Sequence, residues 1–471
     1  SKDPLEIHST IRSMPSVISE PSPDQKHLKP MVIHNGWITI GGKLAIGQEV
    51  SVPWWNGGVR PDDLRSARLA VTRFVPGQTG KGFTDDLEEV ADAMSAAGQT
   101  SLWQHPPLWY DRRRDDHSRT KRLDGDVVPP FYEMPWARSG LGIASDGLSK
   151  WDLTKSNRWY FDRLRYFAKL GEEKGILLFN GLYNQHSLLE AGAHYVDSPW
   201  RPENNIHPVD LPEPPVFASD KLIYYASLFY ESSNPVLTKL QRGYARNVLD
   251  ELSHSPNVVL FLSEEYTGPR SFVETWLDTI RDWIDETGHK PCIALYATKD
   301  VTDAILEDPD RSRIVSILYN RFHTEGWWYQ PDGALYAPQG GKNLSPRQWI
   351  RLLKPKAPGF AEIVKGVREY RTKYPTKPFV YQGNNDFAWA VLLGGGSLAP
   401  LPKSIHEELL LAIPKMRPMP DQPGLIDDEG NQLIYSEQTP TGPHVQPIDM
   451  KTGKISDQRS NLYWVTNDAK R

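Results

Sequence analysis

The chain of 471 residues contains a single cysteine, which excludes an intrachain disulfide framework and a multi-cysteine metal centre. That residue, Cys292, sits in the strand-like run Pro291-Cys-Ile-Ala-Leu-Tyr296 and reads as a small buried apolar group. There is no run of 18 apolar residues, and the mean hydropathy is −0.53, so no helix built to span a membrane is expected. Charge of one sign is not in large excess. The 54 Lys and Arg against 59 Asp and Glu leave a net charge of −5, a field that offers nucleic acid little attraction. Phosphate-binding motifs are missing as well. Val75-Pro-Gly-Gln-Thr-Gly-Lys-Gly82 bears glycines but fits neither GxGxxG nor the Walker A spacing. HExxH is absent. His186, His194 and His207 share one segment with Glu190 and Asp197 at no metal-ligand spacing, so they read as solvated loop residues. No metal or cofactor is expected.

Aromatic residues, in contrast, are plentiful, with 16 Trp and 20 Tyr. Flat rings of this kind stack on the apolar CH faces of sugars, although many must also serve as core. Organisation along the chain is clear. Residues 1–30 carry Ser, Pro and charge without periodicity and read as an extended arm. This start has no signal-peptide pattern; it fits a mature N-terminus, with a secreted or periplasmic location as the expectation, and equally a trimmed sequence. Residues 31–65 form a β-hairpin lead-in, with short alternating runs around Gly41-Gly42.

From residue 66 to 415 a strand–helix rhythm runs. Strands are expected at Ala67–Phe74, Thr100–His105, Gly175–Leu182, Val258–Leu262, Cys292–Tyr296, Ile314–Tyr319, Lys377–Gln382 and Ser397–Ala399. The helix over Thr84–Ala97 has Asp85 and Glu88 at capping-box spacing and Gly98 as its stop. Eight such strands predict an α/β fold, the closed (β/α)8 TIM barrel. Residues 416–471 read as a short β-rich extension with hairpins turning at Gly430 and Gly453.

The most informative stretch is Ser255-Pro-Asn-Val-Val-Leu-Phe-Leu-Ser-Glu-Glu-Tyr-Thr-Gly-Pro269. An apolar strand there ends in two adjacent carboxylates, Glu264 and Glu265. Burying carboxylates beside a core strand is costly unless they are paired or used. Barrel enzymes keep their catalytic acids at the C-terminal ends of such strands. Reading the other strand ends gives a coherent polar set: Arg73, His105, Asn180 with Asn184 and His186, Tyr296, Tyr319 with Arg321 and His323, and Gln382 with Asn384, Asn385 and Asp386. Trp327-Trp328-Tyr329 and Trp54-Trp55 are candidate stacking platforms. Arg113, Arg114 and Arg119 lie in a loop of mixed charge after the second strand, which reads as a self-paired, solvated face, with binding of an anionic sugar as the other reading.

The run Asn257-Val-Val-Leu-Phe-Leu-Ser-Glu-Glu-Tyr-Thr-Gly268 resembles the fourth-strand motif of clan A glycoside hydrolases, an apolar strand ending in Asn-Glu. The resemblance implies Glu265 as acid/base, with Glu264 in place of the usual Asn, and puts Tyr319 where members place an aromatic beside the nucleophile. The Glu-Glu-Tyr-Thr-Gly-Pro and Gly-Gly-Ser-Leu-Ala runs also resemble a group of bacterial carbohydrate-locus proteins with no assigned activity. One departure stands out. The clan's nucleophile is a glutamate ending the seventh strand, and this chain has Phe379-Val-Tyr-Gln-Gly-Asn-Asn-Asp386 there. Asp386, Glu264 or Glu325 is left to supply the second carboxyl. Separations of about 5–5.5 Å and about 6.5–9.5 Å distinguish retaining from inverting enzymes.

The leading expectation is therefore a hydrolase of plant or algal glycans. Its catalytic candidates are Glu265, Glu264 and Asp386. Its sugar-binding candidates are Arg73, His105, Asn184, His186, Tyr319, Arg321, His323, Trp327, Trp328, Asn384 and Asn385. A carbohydrate-binding barrel without turnover is the alternative from another class, and a polysaccharide lyase with Tyr319 or His186 as base is the third.

Overall fold

Met31–His34 (β1) and Trp37–Ile40 (β2) pair antiparallel around Asn35-Gly36. The φ angles there, 51° and 74°, are those of the tight turn that Asn and Gly adopt with least strain. A second turn, the one expected at Gly41-Gly42, brings in Lys43–Leu44 (β3). The structure, a computed structural model, describes residues 28–51, 86–106, 133–184, 195, 198–213, 228–230, 233–264, 266, 268–320, 360–381, 388–418, 432–439, 442–449 and 464–466.

Gln48–Ser51 (β4) and Gln99–Gln104 (β5) begin the main sheet, and Trp136–Arg138 (β6) with Trp151–Ser156 (β7) forms a separate antiparallel excursion. Leu177–Asn184 (β8), Val258–Glu264 (β9), Cys292–Leu295 (β10), Ile317–Asn320 (β11), Phe379–Tyr381 (β12) and Gly396–Ser397 (β13) complete it. The order is β4-β5-β8-β9-β10-β11-β12-β13, with parallel neighbours throughout. Just past β13 the Leu398 amide donates to the Ala45 carbonyl, and the Gly47 amide donates to the Ala399 carbonyl. The sheet thereby closes on itself as an eight-stranded barrel. A helix follows each of the first seven strands: Leu87–Ala97 (α1), Arg158–Lys174 (α2), Pro235–Leu252 (α3), Arg270–Thr287 (α4), Lys299–Glu307 (α5), Phe360–Lys373 (α6) and Ala388–Gly394 (α7).

Counted round this ring, β9 is the fourth strand, β11 the sixth and β12 the seventh, as the sequence implied. The first strand differs. It was expected at Ala67–Phe74, which lies outside the described residues, and in the structure Gln48–Ser51 takes its place beside Gln99–Gln104. The cap of α1 also moves by one residue. Asp86, not Asp85, accepts from the amides of Glu88 and Glu89.

Strand alternation sorts the side chains into two cores. Trp103, Phe179, Phe261 and Tyr319 fill the barrel, while Leu102, Leu178, Leu260 and Leu318 pack outward under the helices. Trp103 is at the centre, its ring centroid 4.8 Å from Phe179, 4.5 Å from Phe261 and 4.3 Å from Tyr319. The β1–β2 hairpin stops the N-terminal end of the barrel with Met31 and Ile38. Its amides are held from the barrel: Met31 donates to Asn257 Oδ1 at 2.7 Å, and Ile38 to Ser397 Oγ at 3.0 Å. Arg371 of α6, 3% exposed, clasps the same hairpin. It donates to the carbonyls of Asn35 and Pro375 and lies 5.2 Å from the Trp37 ring. Burial lowers its pKa to about 10, so it stays charged at neutral pH.

The excursion after the second strand is tied to the segment after the third. Trp151 bridges Asn205, and the Ser145 amide donates to Asn204 Oδ1. His207, assigned to a solvated loop, instead lies 3.0 Å from Asp152 Oδ1 and accepts from the Leu153 amide. Beyond the barrel, Met416–Pro418 (β14), Gln432–Thr439 (β15), Gly442–Asp449 (β16) and Trp464–Thr466 (β17) form two antiparallel pairs, β14 with β17 and β15 with β16. The extension is β-rich as expected. Its described hairpin pairs Gln432–Thr439 with Gly442–Asp449, and the turns expected at Gly430 and Gly453 lie outside the described residues.

Two outcomes follow from these contacts. Replacing Arg371 with Ala leaves the Asn35 and Pro375 carbonyls without their donor and should cost about 2–4 kcal/mol in denaturant unfolding. Asp152 is pushed up by burial, but the Thr154 hydroxyl and amide, Lys155 and His207 outweigh this and hold its pKa at about 2. Its contribution is thus fully present above the ordinary carboxylate value and is lost as pH falls towards about 2. Asp152→Asn should flatten the acid limb of a stability–pH profile over that window.

Candidate functional site

The C-terminal ends of β5, β8 and β9 lie side by side, and their registers fix what meets there. Trp103 pairs with Phe179, and Gln104 with Asn180. His105, the residue following β5, is 4% exposed, and its Nδ1 lies 3.1 Å from Asn184 Nδ2. Asn184, the last residue of β8, stands in register with Glu264, the last of β9. Three candidates from the sequence are thus brought to one edge of the barrel mouth. Of Glu264 the backbone is described; Glu265 lies outside the described residues.

The histidine is held on several sides. Gln104 Nε2 donates to the His105 carbonyl at 2.7 Å. Opposite, Gly181 leaves room: a Cβ there would come within 2.8 Å of the Phe261 ring and 3.3 Å of His105 Cβ. The motif that follows the two glutamates has a packing cause. Tyr266 is buried against Tyr230 and Phe272, and its hydroxyl donates to the Pro269 carbonyl at 2.8 Å. Gly268 is required beneath it, because a Cβ would fall 2.3 Å from the Tyr266 ring. Ser263, on the other side of the pair in sequence, is buried as well.

Tyr319 is inside the barrel, fully buried, and its hydroxyl donates to Glu49 Oε2 at 2.7 Å. Glu49, on the first strand, is the acidic residue that the sequence reading passed over. The signal was the alternating run Gln48-Glu49-Val50-Ser51 directly after Gly47, which the lead-in assignment absorbed. Asn180 is a correction. It was grouped with the mouth but has the outward phase of Leu178, in register with Gln104, whose Nε2 lies 3.4 Å from the Tyr160 hydroxyl of α2. The register of Asn180 with Leu260, which packs under the helices, decides this; strict alternation ends further along the strand, where Leu182 and Tyr183 both join the outer core and Asn184 turns to His105. Tyr296 is packed among the barrel rings, 4.8 Å from Tyr319.

Arg73, His186, Arg321, His323, Trp327, Trp328, Gln382, Asn384, Asn385 and Asp386 lie outside the described residues, as do Trp54, Trp55 and the arginines 113, 114 and 119. The tryptophans that are described near this end are core. Trp136 and Trp200 meet edge to face at 5.4 Å, joined by Tyr183, Phe229 and Tyr244.

A family model described as "Domain of unknown function (DUF6298)" matches residues 2–416, ending at the first residue of β14. The chain belongs to the DUF6298 family. No curated protein matches it in sequence. Among solved structures it is similar to a putative glycoside hydrolase from Bacteroides vulgatus, at 10% identity and a TM-score of 0.39 over 80% of this chain and 55% of that one. A second Bacteroides vulgatus structure, a glycoside hydrolase family 5 protein, is covered over 61% of its length. A glycoside hydrolase family 5 mannosidase from Rhizomucor miehei is 13% identical, with a TM-score of 0.36, over 75% of this chain and 72% of that one. The chain therefore spans little more than half the length of the first two structures. The barrel itself rests on the strand pairing above.

Gly181→Ala puts a methyl group against the Phe261 ring and the His105 side chain. It should cost about 1–3 kcal/mol, read by thermal or denaturant unfolding.

Proposed function

We propose that this DUF6298 chain is a glycoside hydrolase, with Glu265 as its general acid. The observation that carries the reading is the end of the fourth barrel strand. Val259 and Phe261 face the barrel interior, and the strand runs on to Glu264, in register with Asn184, with Glu265 the next residue in the chain. The neighbouring strand ends supply His105 and Asn184, groups suited to holding sugar hydroxyls.

In this reading the Glu265 carboxyl gives its proton to the leaving oxygen as the glycosidic bond breaks through an oxocarbenium-like state. Asp386, following the seventh strand, is the candidate for the second carboxyl. The proposed substrate is a plant or algal oligosaccharide, with an anionic group facing Arg113, Arg114 or Arg119, and the proposed location is secreted or periplasmic.

The test is a panel of plant and algal oligosaccharides, followed by release of reducing ends from the native chain and from Glu265→Gln. Cleavage should fall by about 10²–10⁴-fold in the variant while its unfolding curve stays unchanged. Equal turnover by the two proteins would remove Glu265 from this role. Products that absorb in the near ultraviolet would mean a lyase, and affinity without new reducing ends would mean a binding barrel.

A further inference from the structure

The second and third barrel strands place two amide side chains side by side on the outer face of the sheet. Gln104 and Asn180 are register partners, 1% and 2% exposed, and both lie on the face that α2 covers. The Gln104 amide has a fixed orientation. Its Nε2 donates to the His105 carbonyl at 2.7 Å and lies 3.4 Å from the Tyr160 hydroxyl of α2, which leaves Oε1 on the other side. Neither Gln104 Oε1 nor Asn180 Oδ1 has a hydrogen-bond partner among the described residues. A bond between the two amides would have to end on one of these oxygens, so none joins them directly. Two buried acceptors that have given up hydration without a donor are destabilising.

An orphan of the opposite kind lies close by in the fold. Trp136 Nε1 is buried with no acceptor among the described residues. Its neighbour Pro135 accepts from the amide of Asn157, the N-cap of α2, one turn before Tyr160. Acceptors without donors and a donor without an acceptor thus gather around the first turn of α2. We propose that an ordered water molecule sits between the second and third strands, donating one proton to Gln104 Oε1 and the other to Asn180 Oδ1. Its lone pairs remain for a donor from the α2 side, the Tyr160 hydroxyl or Trp136 Nε1. A metal ion is the other species that two oxygens can hold. The surroundings oppose it: Leu102, Leu178 and Leu260 make up the layer around the pair, and both amides are neutral, so a cation would be buried without countercharge. No group of three His, Cys, Asp or Glu able to hold a metal occurs among the described residues. The bound water completes Gln104, whose other end holds the main chain of His105, so it belongs to the support of the second strand's end. The site does not depend on the hydrolase reading.

The experiment is a crystal structure of the full chain at a resolution that shows individual waters, joined to thermal unfolding of Gln104→Met, Asn180→Leu and the double variant. The native density should show one water at about 2.5–3.0 Å from both amide oxygens. Each single variant removes one leg and leaves the other oxygen bare, so each should lower the unfolding midpoint by about 1–3 °C. The double variant removes both acceptors and should fall by less than the two single shifts added together. An Asn180 amide turned so that its Nδ2 donates directly to Gln104 Oε1, with no water between, would overturn the proposal. So would density with the coordination of a metal ion, or shifts that simply add. If a variant does not fold, the native density alone decides.

Discussion

Everything in this molecule depends on the seam where the eighth barrel strand meets the first. Two backbone hydrogen bonds make it, from the Leu398 amide to the Ala45 carbonyl and from the Gly47 amide to the Ala399 carbonyl. Without them the sheet would present two bare edges, each a row of unpaired amides and carbonyls. The seam is conformationally demanding. Leu398 has a φ of 54°, which side-chain-bearing residues seldom adopt. Gly47 has a φ of 133°, and a Cβ there would lie 2.1 Å from Thr100 Oγ1 and 2.6 Å from the Gly98 carbonyl. Only glycine fits, so the glycine sets where the ring can shut.

Closure has a consequence for chemistry. Once the ring is shut, eight strand ends point to one face, and residues far apart in sequence become neighbours. His105 and Asn184 are 79 positions apart yet share a hydrogen bond. Tyr319 and Glu49 are 270 apart and share another. The opposite face is stopped by the β1–β2 hairpin, held by Asn257, Ser397 and Arg371. One end is thus committed to stability, which leaves the other for function. Around the fourth strand end the same division recurs at smaller scale. Ser263 and Tyr266 are buried anchors on either side of the two glutamates in sequence.

Much of this was legible in the chain. The strand–helix rhythm, the count of strands, the rank of Val258–Glu264 as fourth and the apolar stripe of α2 all follow from periodicity and caps, which are local. The misses have local causes too. The first strand is only four residues long and follows a hairpin, so its alternation merged with the lead-in and Glu49 was overlooked. Asn180 was placed at the mouth because the third strand was read as ending sooner. It continues to Asn184, and a strand side chain's face depends on its parity, which an uncertain end does not fix. Trp103, Trp136, Trp151 and Trp200 are core, as many of the tryptophans were expected to be, and the stacking candidates Trp54, Trp55, Trp327 and Trp328 lie outside the described residues.

By itself, the sequence determined the class of fold and the site's best candidate strand, because hydrophobic period and turn residues act over a few positions. The tertiary structure alone decided which strand closes the ring, that Asn184 meets His105, that Tyr319 is bonded to Glu49, and that Arg371 secures the hairpin. These contacts join residues dozens to hundreds of positions apart. Nothing in local propensity encodes them, because their partners are chosen only when the barrel shuts and its register is set.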